Sequence, residues 1–189
     1  MKKRKAVFLD RDGTILVHEP YLSSPDQLSL LPNAAEGIRL FKKHGYLVIV
    51  VTNQSGIARG LFDEERLMLI HKKMMGMLEN EGANIDGLYY CPHHTEGIIE
   101  RYKVDCDCRK PKPGMFLDAA RRHRIDLSQS IMIGDSEVDM LAGKNAGCKS
   151  VLVRNGCADD ISIAPVMNMD YVVKDLLEAA KIITCKGKA

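Results

Sequence analysis

Lys5-Ala6-Val7-Phe8-Leu9-Asp10-Arg11-Asp12-Gly13-Thr14-Ile15 is the stretch that decides the fold of this chain. Ala6 to Leu9 is a short continuous apolar run, the pattern of a strand buried on both faces of a parallel sheet. Two carboxylates, Asp10 and Asp12, follow at once with one residue between them, and Gly13 and Thr14 come next. Carboxylates at the carboxyl end of a buried strand sit where open α/β sheets bind their ligands. So close together they repel, and a bound cation is the simplest way to keep both ionised. Oxygen donors select a hard cation such as Mg²⁺. The competing reading is an ordinary turn, because Asp and Gly are common turn formers.

The rest of the chain supports a compact α/β unit. With 189 residues, 46% hydrophobic and 28% charged, it can bury a full core, and residues 1–189 are expected to form one domain. A formal net charge of +2 carries no signal for nucleic acid or anionic membranes. The basic start, Lys2 to Lys5, precedes only four apolar residues, too few for the apolar region of a signal peptide. No stretch approaches the roughly 18 apolar residues of a membrane span, and a cytoplasmic location is expected. Six cysteines are too few for a disulfide scaffold. Three of them cluster at 91, 106 and 108, while Cys148, Cys157 and Cys185 are scattered.

In chain order, His18 to Leu31 reads as a loop over the strand ends. Asn33 is expected to cap a helix, with Glu36 completing a capping box and Gly45 ending it. Tyr46 to Val51 reads as a second buried strand, ending in Thr52-Asn53-Gln54-Ser55-Gly56. Asp63 caps a longer helix whose Leu67, Ile70, Met74, Met77 and Leu78 follow helical spacing, a core stripe rather than a binding surface. A third strand is predicted over 85–90, then a long insertion from Cys91 to Pro113 and a helix over 114–123. A fourth strand over 130–133 runs into Gly134-Asp135-Ser136, followed by a helix to Ala146 and a fifth strand over 150–153. A short strand at 171–173 and a helix over 175–183 complete the pattern. Strands alternating with helices imply a parallel, doubly wound sheet.

Polar clusters close four of these segments: Asp10 and Asp12, Thr52 and Asn53, Lys110, and Asp135 with Asp139. In a parallel sheet all four arrive on one edge. Asp-x-Asp-Gly-Thr, a strand-terminal Thr, a downstream Lys and Gly-Asp-x-x-x-Asp, in this order, resemble the haloacid dehalogenase superfamily of phosphohydrolases, over nearly the whole chain. Within it, the segments at 8–14, 51–60 and 106–115 are most similar to the D-glycero-D-manno-heptose 1,7-bisphosphate phosphatase branch, with histidinol-phosphate phosphatases as near relatives. The residue types fit that chemistry. Asp10 is placed as nucleophile, forming an aspartyl-phosphate, and Asp12 as general acid and then base. Thr52, the Asn53 backbone and Lys110 suit the phosphate, where charge neutralisation matters most. The resemblance implies Mg²⁺ on the Asp10 side chain, the Asp12 carbonyl and Asp135. Asp139 then either orients Lys110 or a metal-bound water, or is a solvated helix residue.

Cys91-x-His93 and, after twelve intervening residues, Cys106-x-Cys108 supply three thiolates and an imidazole, the set for a closed, structural tetrahedral Zn²⁺. His94 is an equal rival by spacing; the resemblance favours His93. The alternative is a cluster of buried thiols. Because the loop runs into Arg109 and Lys110, fixing Cys108 would fix both cations. No insertion is large enough for a cap domain, so the 16–32, 54–62 and metal loops should set specificity. Gln54, Arg59 and Arg109 are the candidates for substrate hydroxyls and a distal phosphate, with an exposed surface charge the competing reading of Arg59. The expected partner is a small phosphorylated sugar, with no nucleic acid or membrane, and the chain a monomer. Histidinol phosphate is the alternative substrate. A polynucleotide 3′-phosphatase or zinc-stabilised nucleic-acid module fits less well, since the chain has no Trp, 5% aromatic residues and no basic stripe.

Overall fold

The structure is a computed structural model that describes residues 3–155 and 169–185. Its elements alternate as β1 (Ala6–Leu9), α1 (Ala34–Lys43), β2 (Leu47–Asn53), α2 (Glu64–Asn80), β3 (Gly87–Cys91) and α3 (Gly114–His123). They continue as β4 (Ile131–Gly134), α4 (Glu137–Asn145), β5 (Lys149–Val153), β6 (Tyr171–Val173) and α5 (Leu176–Cys185). All six strands are parallel, in the order β3-β2-β1-β4-β5-β6. The chain steps outward from β1 to β3 and then returns past β1 to build the other half. Strand order therefore reverses between β1 and β4, which opens a crevice at their carboxyl ends.

Period-two alternation divides the strands between two layers. Val7, Leu9, Val48 and Val50 face one core, covered by Ile38 and Phe41 of α1, Ile70 and Met74 of α2, and Ala180 and Ile183 of α5. Phe8, Ile49 and Val51 face the other, against Met115 and Phe116 of α3 and Ala142 of α4. Every residue of β1 is fully buried, which is why it reads as a continuous apolar run. Among the described residues no inserted unit stands over the carboxyl edge as a cap. No described helix is long and apolar enough to cross a membrane.

Two local expectations change. Asn33 does not cap α1 with its side chain: at φ 66° it lies in the left-handed region and makes no capping bond. Its Nδ2 instead donates to Asp175 Oδ2 at 2.8 Å, tying the start of α1 to the segment before α5. The second strand runs on to Asn53, because Thr52 and Asn53 stay in register with Tyr90 and Cys91. Asp63 caps α2 as read, accepting from the Arg66 amide at 2.8 Å. Cys157 lies outside the described residues.

Phe8 sits at the middle of the sheet with its ring 4.7 Å from that of Phe116. Phe8→Ala is expected to lower the unfolding free energy by about 3–5 kcal/mol, the usual range for a truncated core aromatic. Denaturant-induced unfolding checks this, and a loss under about 1 kcal/mol would show that the layer collapses around the cavity at little cost.

Candidate active site

Four segments meet at the carboxyl edge, and the Lys110 ammonium is where they join. Lys110 Nζ donates to Asp10 Oδ1 at 2.6 Å, to Asp139 Oδ1 at 2.6 Å and to the Val51 carbonyl at 2.9 Å. These three donations use all its hydrogens. Lys110 is 4% exposed and Asp139 2%, so the contacts lie out of water and a solvated-helix reading of Asp139 does not hold. Lys110 reaches this position because Asn53 clamps its backbone. Asn53 Nδ2 donates to the Lys110 carbonyl and Asn53 Oδ1 accepts the Lys110 amide, each at 3.0 Å. The side chain of Asn53, rather than only its backbone, is thus part of the site.

Asp10, Asp135 and Asp139 bring one carboxylate oxygen each within 4.8 Å of one another. Close packing of the backbone permits this. A Cβ on Gly13, which has φ +79°, would lie 2.0 Å from Asp135 Oδ2, and one on Gly134 would lie 2.5 Å from the Asp139 carboxylate. Asp139 Oδ2 is fixed in turn by Ser136, which donates from its amide and its hydroxyl in a capping box at the start of α4. Three carboxylates against one ammonium leave two negative charges unbalanced when all are ionised. Burial pushes the Asp10 carboxyl up to about 8, with Lys110 opposing and Asp139 and Asp12 adding to the rise. Burial and Asp139 push Asp135 up to about 6. Burial disfavours the Lys110 charge, but Asp10 and Asp139 outweigh it and hold its proton more tightly than usual. An all-oxygen donor set with this charge excess fits a hard divalent cation.

Asp12 points elsewhere. Its Oδ1 accepts Arg11 Nε at 2.9 Å, and its Oδ2 accepts Arg11 Nη2 at 2.8 Å and Gln54 Nε2 at 3.0 Å. Gln54 Nε2 also donates to Thr52 Oγ1 at 2.9 Å, so the Thr52 hydroxyl keeps its own hydrogen for another acceptor. Both amide hydrogens of Gln54 are therefore turned inward, and it braces Asp12 rather than presenting donors to a ligand. Arg11 Nη1 lies 3.2 Å from His71 Nε2 on α2. Arg11 is legible in the sequence only as part of the 8–14 segment, with no role of its own, and a His on an apolar helix face reads as core. A cavity of about 150 Å³ opens beside Arg11, Asp12 and Gln54, walled by His18, Tyr21 and Phe62.

The insertion folds back to form a second centre. Cys91, His93, Cys106 and Cys108 bring one ligand atom each within 4.8 Å of the others, with Cys91 at the end of β3. Separations are 3.4 Å for Cys91–Cys106, 3.2 Å for Cys106–Cys108, and 3.8 and 3.5 Å from His93 Nδ1 to Cys91 and Cys108. A tetrahedral ion with bonds of about 2.3 Å to sulfur and 2.0–2.1 Å to nitrogen spaces its ligands by roughly 3.5–3.8 Å. The group is slightly tighter and otherwise of that shape, so a metal ion fits it. His94 stands apart: Nε2 meets Arg59 Nη2 at 3.2 Å and Nδ1 accepts the Glu96 amide. Arg59 is thus held by His94, with Glu96 at 3.8 Å, and its buried Nε has no partner among the described residues. Arg109 Nη1 donates to the His93 carbonyl at 3.3 Å, which ties it to the Cys/His group. Neither arginine lines the cavity beside Asp12.

Comparisons with known proteins agree with this architecture. A HAD-hydrolase-like family model matches residues 107–179. The D-glycero-beta-D-manno-heptose-1,7-bisphosphate 7-phosphatase of Pasteurella multocida is 45% identical over 181 residues, covering 95% of this chain and 97% of that protein. The enzyme of the same name from Haemophilus influenzae is 43% identical over 95% of this chain and 96% of its own length. Among solved structures, D,D-heptose 1,7-bisphosphate phosphatase from B. bronchiseptica, complexed with magnesium and phosphate, superposes with a TM-score of 0.84. It is 35% identical and covers 96% of this chain and 99% of its own.

The raised carboxyls set a sign for pH. In metal-free protein the folded state holds protons on Asp10 and Asp135 that the unfolded chain releases near pH 4. Their contribution to stability is full below about pH 4 and is lost as pH rises through about 6 to 8. A cation must displace those protons, so it binds more tightly at higher pH. Thermal unfolding with and without Mg²⁺ is expected to show a larger upward shift at pH 8 than at pH 5.5; equal shifts would place the cation away from these carboxylates.

Proposed function

The chain belongs to the D-glycero-beta-D-manno-heptose-1,7-bisphosphate 7-phosphatase family of HAD-like hydrolases, and from that premise we propose that it removes the C7 phosphate of D-glycero-D-manno-heptose 1,7-bisphosphate, leaving heptose 1-phosphate. The observation that carries the reading is the Asp10–Lys110–Asp139 array at the β1/β4 crevice, in a chain matching such enzymes over nearly its whole length. One Asp10 oxygen is held by Lys110, and the carboxylate attacks phosphorus to give an aspartyl-phosphate. Asp12 gives a proton to the departing C7 oxygen. It then takes one from the water that attacks phosphorus, which releases phosphate and restores Asp10. The positive charge of Lys110, acting through space, and a hydrogen bond from the free hydrogen of Thr52 counter charge on the phosphoryl oxygens.

Mg²⁺ is the cation this reading assigns to Asp10, Asp135 and the Asp12 carbonyl; when bound it neutralises charge on the phosphoryl group. Asp139 supports it by orienting Lys110. Zn²⁺ is assigned to Cys91, His93, Cys106 and Cys108, as a structural anchor that delivers Arg109 and Lys110 to the sheet edge. Arg109, with its planar fork, is the candidate for the remote C1 phosphate. Gln54 and Arg59 act from behind, through Asp12 and His94. Residues 1–189 are read as one phosphatase domain, a cytoplasmic monomer with no nucleic-acid or membrane partner. The described cysteines are all free, which suits a reducing compartment, and the net charge of +2 suits a small-molecule partner.

Phosphate release across heptose bisphosphate, histidinol phosphate and a 3′-phosphorylated oligonucleotide is the test. The bisphosphate should give the highest kcat/KM, and Asp10→Asn should abolish turnover while leaving the fold intact. Arg109→Ala should narrow the preference for bisphosphate over monophosphate by about 1.5–3 kcal/mol. Faster turnover of histidinol phosphate would overturn the substrate assignment. For the anchor, metal analysis should find one tightly held Zn²⁺ per chain, and Cys106→Ser should lower both thermal stability and kcat. Protein produced with ample zinc yet free of it would remove that claim.

A further inference from the structure

Arg11 is the largest fully buried side chain among the described residues, at 1% exposure, and the fold alone gives no reason for a cation there. Taking a guanidinium out of water costs several kcal/mol before its partners are counted, and an apolar chain of similar volume would pack at least as stably. Its partners are specific. Nε and Nη2 hold the two oxygens of Asp12 as a fork, and Nη1 meets His71 Nε2. An arginine can only donate, so His71 Nε2 accepts and the ring proton sits on Nδ1. Burial and the neighbouring guanidinium favour this neutral ring, pushing the His71 imidazolium down to about 3. Tyr90, whose hydroxyl donates to Glu64 Oε1 at 3.0 Å, places its ring 5.8 Å from that of His71 and backs it.

We propose that Arg11 and His71 form a positioning pair that fixes the rotation of the Asp12 carboxylate for proton transfer to the leaving oxygen. The proposal rests on the reading of Asp12 as the general acid. A carboxylate gripped at both oxygens cannot turn about its Cβ–Cγ bond without breaking both contacts. Oδ2 already accepts two donors, from Arg11 and Gln54, whereas Oδ1 accepts only Arg11 Nε among the described residues. One acceptor place on Oδ1 is left, and the cavity beside Arg11, Asp12 and Gln54 is where a leaving group would meet it. His71 acts at one remove: without an acceptor at Nε2 the guanidinium has no other partner for Nη1 among the described residues, and the fork can tilt.

The test compares kcat/KM, which reports departure of the leaving group, on two substrates. The heptose bisphosphate expels a poor alkoxide that needs a proton, and p-nitrophenyl phosphate expels a good phenolate that does not. His71→Phe is expected to cut kcat/KM on the sugar by about tenfold to a hundredfold and on the aryl ester by less than about threefold. His71→Gln, whose Oε1 can still accept from Arg11, should recover most of the loss. Arg11→Lys keeps the charge without the fork and should discriminate in the same direction, which decides the matter if His71→Phe does not fold. Equal losses on both substrates, or no loss on either, would overturn the pair. Asp12→Asn separates the two claims: if it too fails to discriminate, the general-acid reading falls and the pair with it, whereas discrimination by Asp12→Asn alone removes only the pair.

Discussion

One buried ammonium holds the working end of this protein together. Lys110 Nζ links Asp10 after β1, Asp139 on α4 and the Val51 carbonyl near the end of β2. The two central strands must end in carboxylates for the site to exist, and buried carboxylates repel. Removing one partner from such a buried group typically costs about 3–5 kcal/mol, because the charge left behind has no water. Lys110 makes the crowding tolerable and leaves room for a divalent cation to balance the rest. The price is placement: a lysine from a distant segment must arrive with its backbone fixed, and the Asn53 side chain provides that by gripping both the amide and the carbonyl of Lys110.

The strand-end residues and the two loop arginines are built on different supports. Asp10, Thr52 and Asp135 sit at the ends of rigid parallel strands, whose register positions them without help from loops. Arg59 and Arg109 belong to loops, both anchored near the Cys/His group through His94 and the His93 carbonyl. Such a division leaves the strand-end carboxylates fixed by the sheet while the two arginines are pinned separately, each by its own contact beside the Cys/His group.

Much of this was legible from the chain. β1 announces itself because burial on both faces removes any need for alternation, and the polar residues that end the strands fall in register once the sheet is parallel. The Cys/His group was visible through spacing, which left His93 and His94 equal; the resemblance favoured His93, and His93 is the imidazole that faces the thiols. Contacts at long range were not legible. Asn33 looks like a cap, but its amide finds Asp175, 142 residues away. Gln54 looks available for a ligand until Asp12 and Thr52 are seen to take its hydrogens. Arg11 and His71 are 60 residues apart and share no motif, so only packing reveals that one holds the other.

In the proposed reaction Asp10 carries the phosphoryl group during turnover. Acid-quenching a single turnover of heptose bisphosphate, trapping the acyl phosphate with hydroxylamine and mapping the modified peptide by mass spectrometry tests it directly. Modification confined to Asp10, and absent from Asp10→Asn, is the expected result. Modification at another carboxylate, or phosphate release with none trapped at any time point through the turnover, would contradict it.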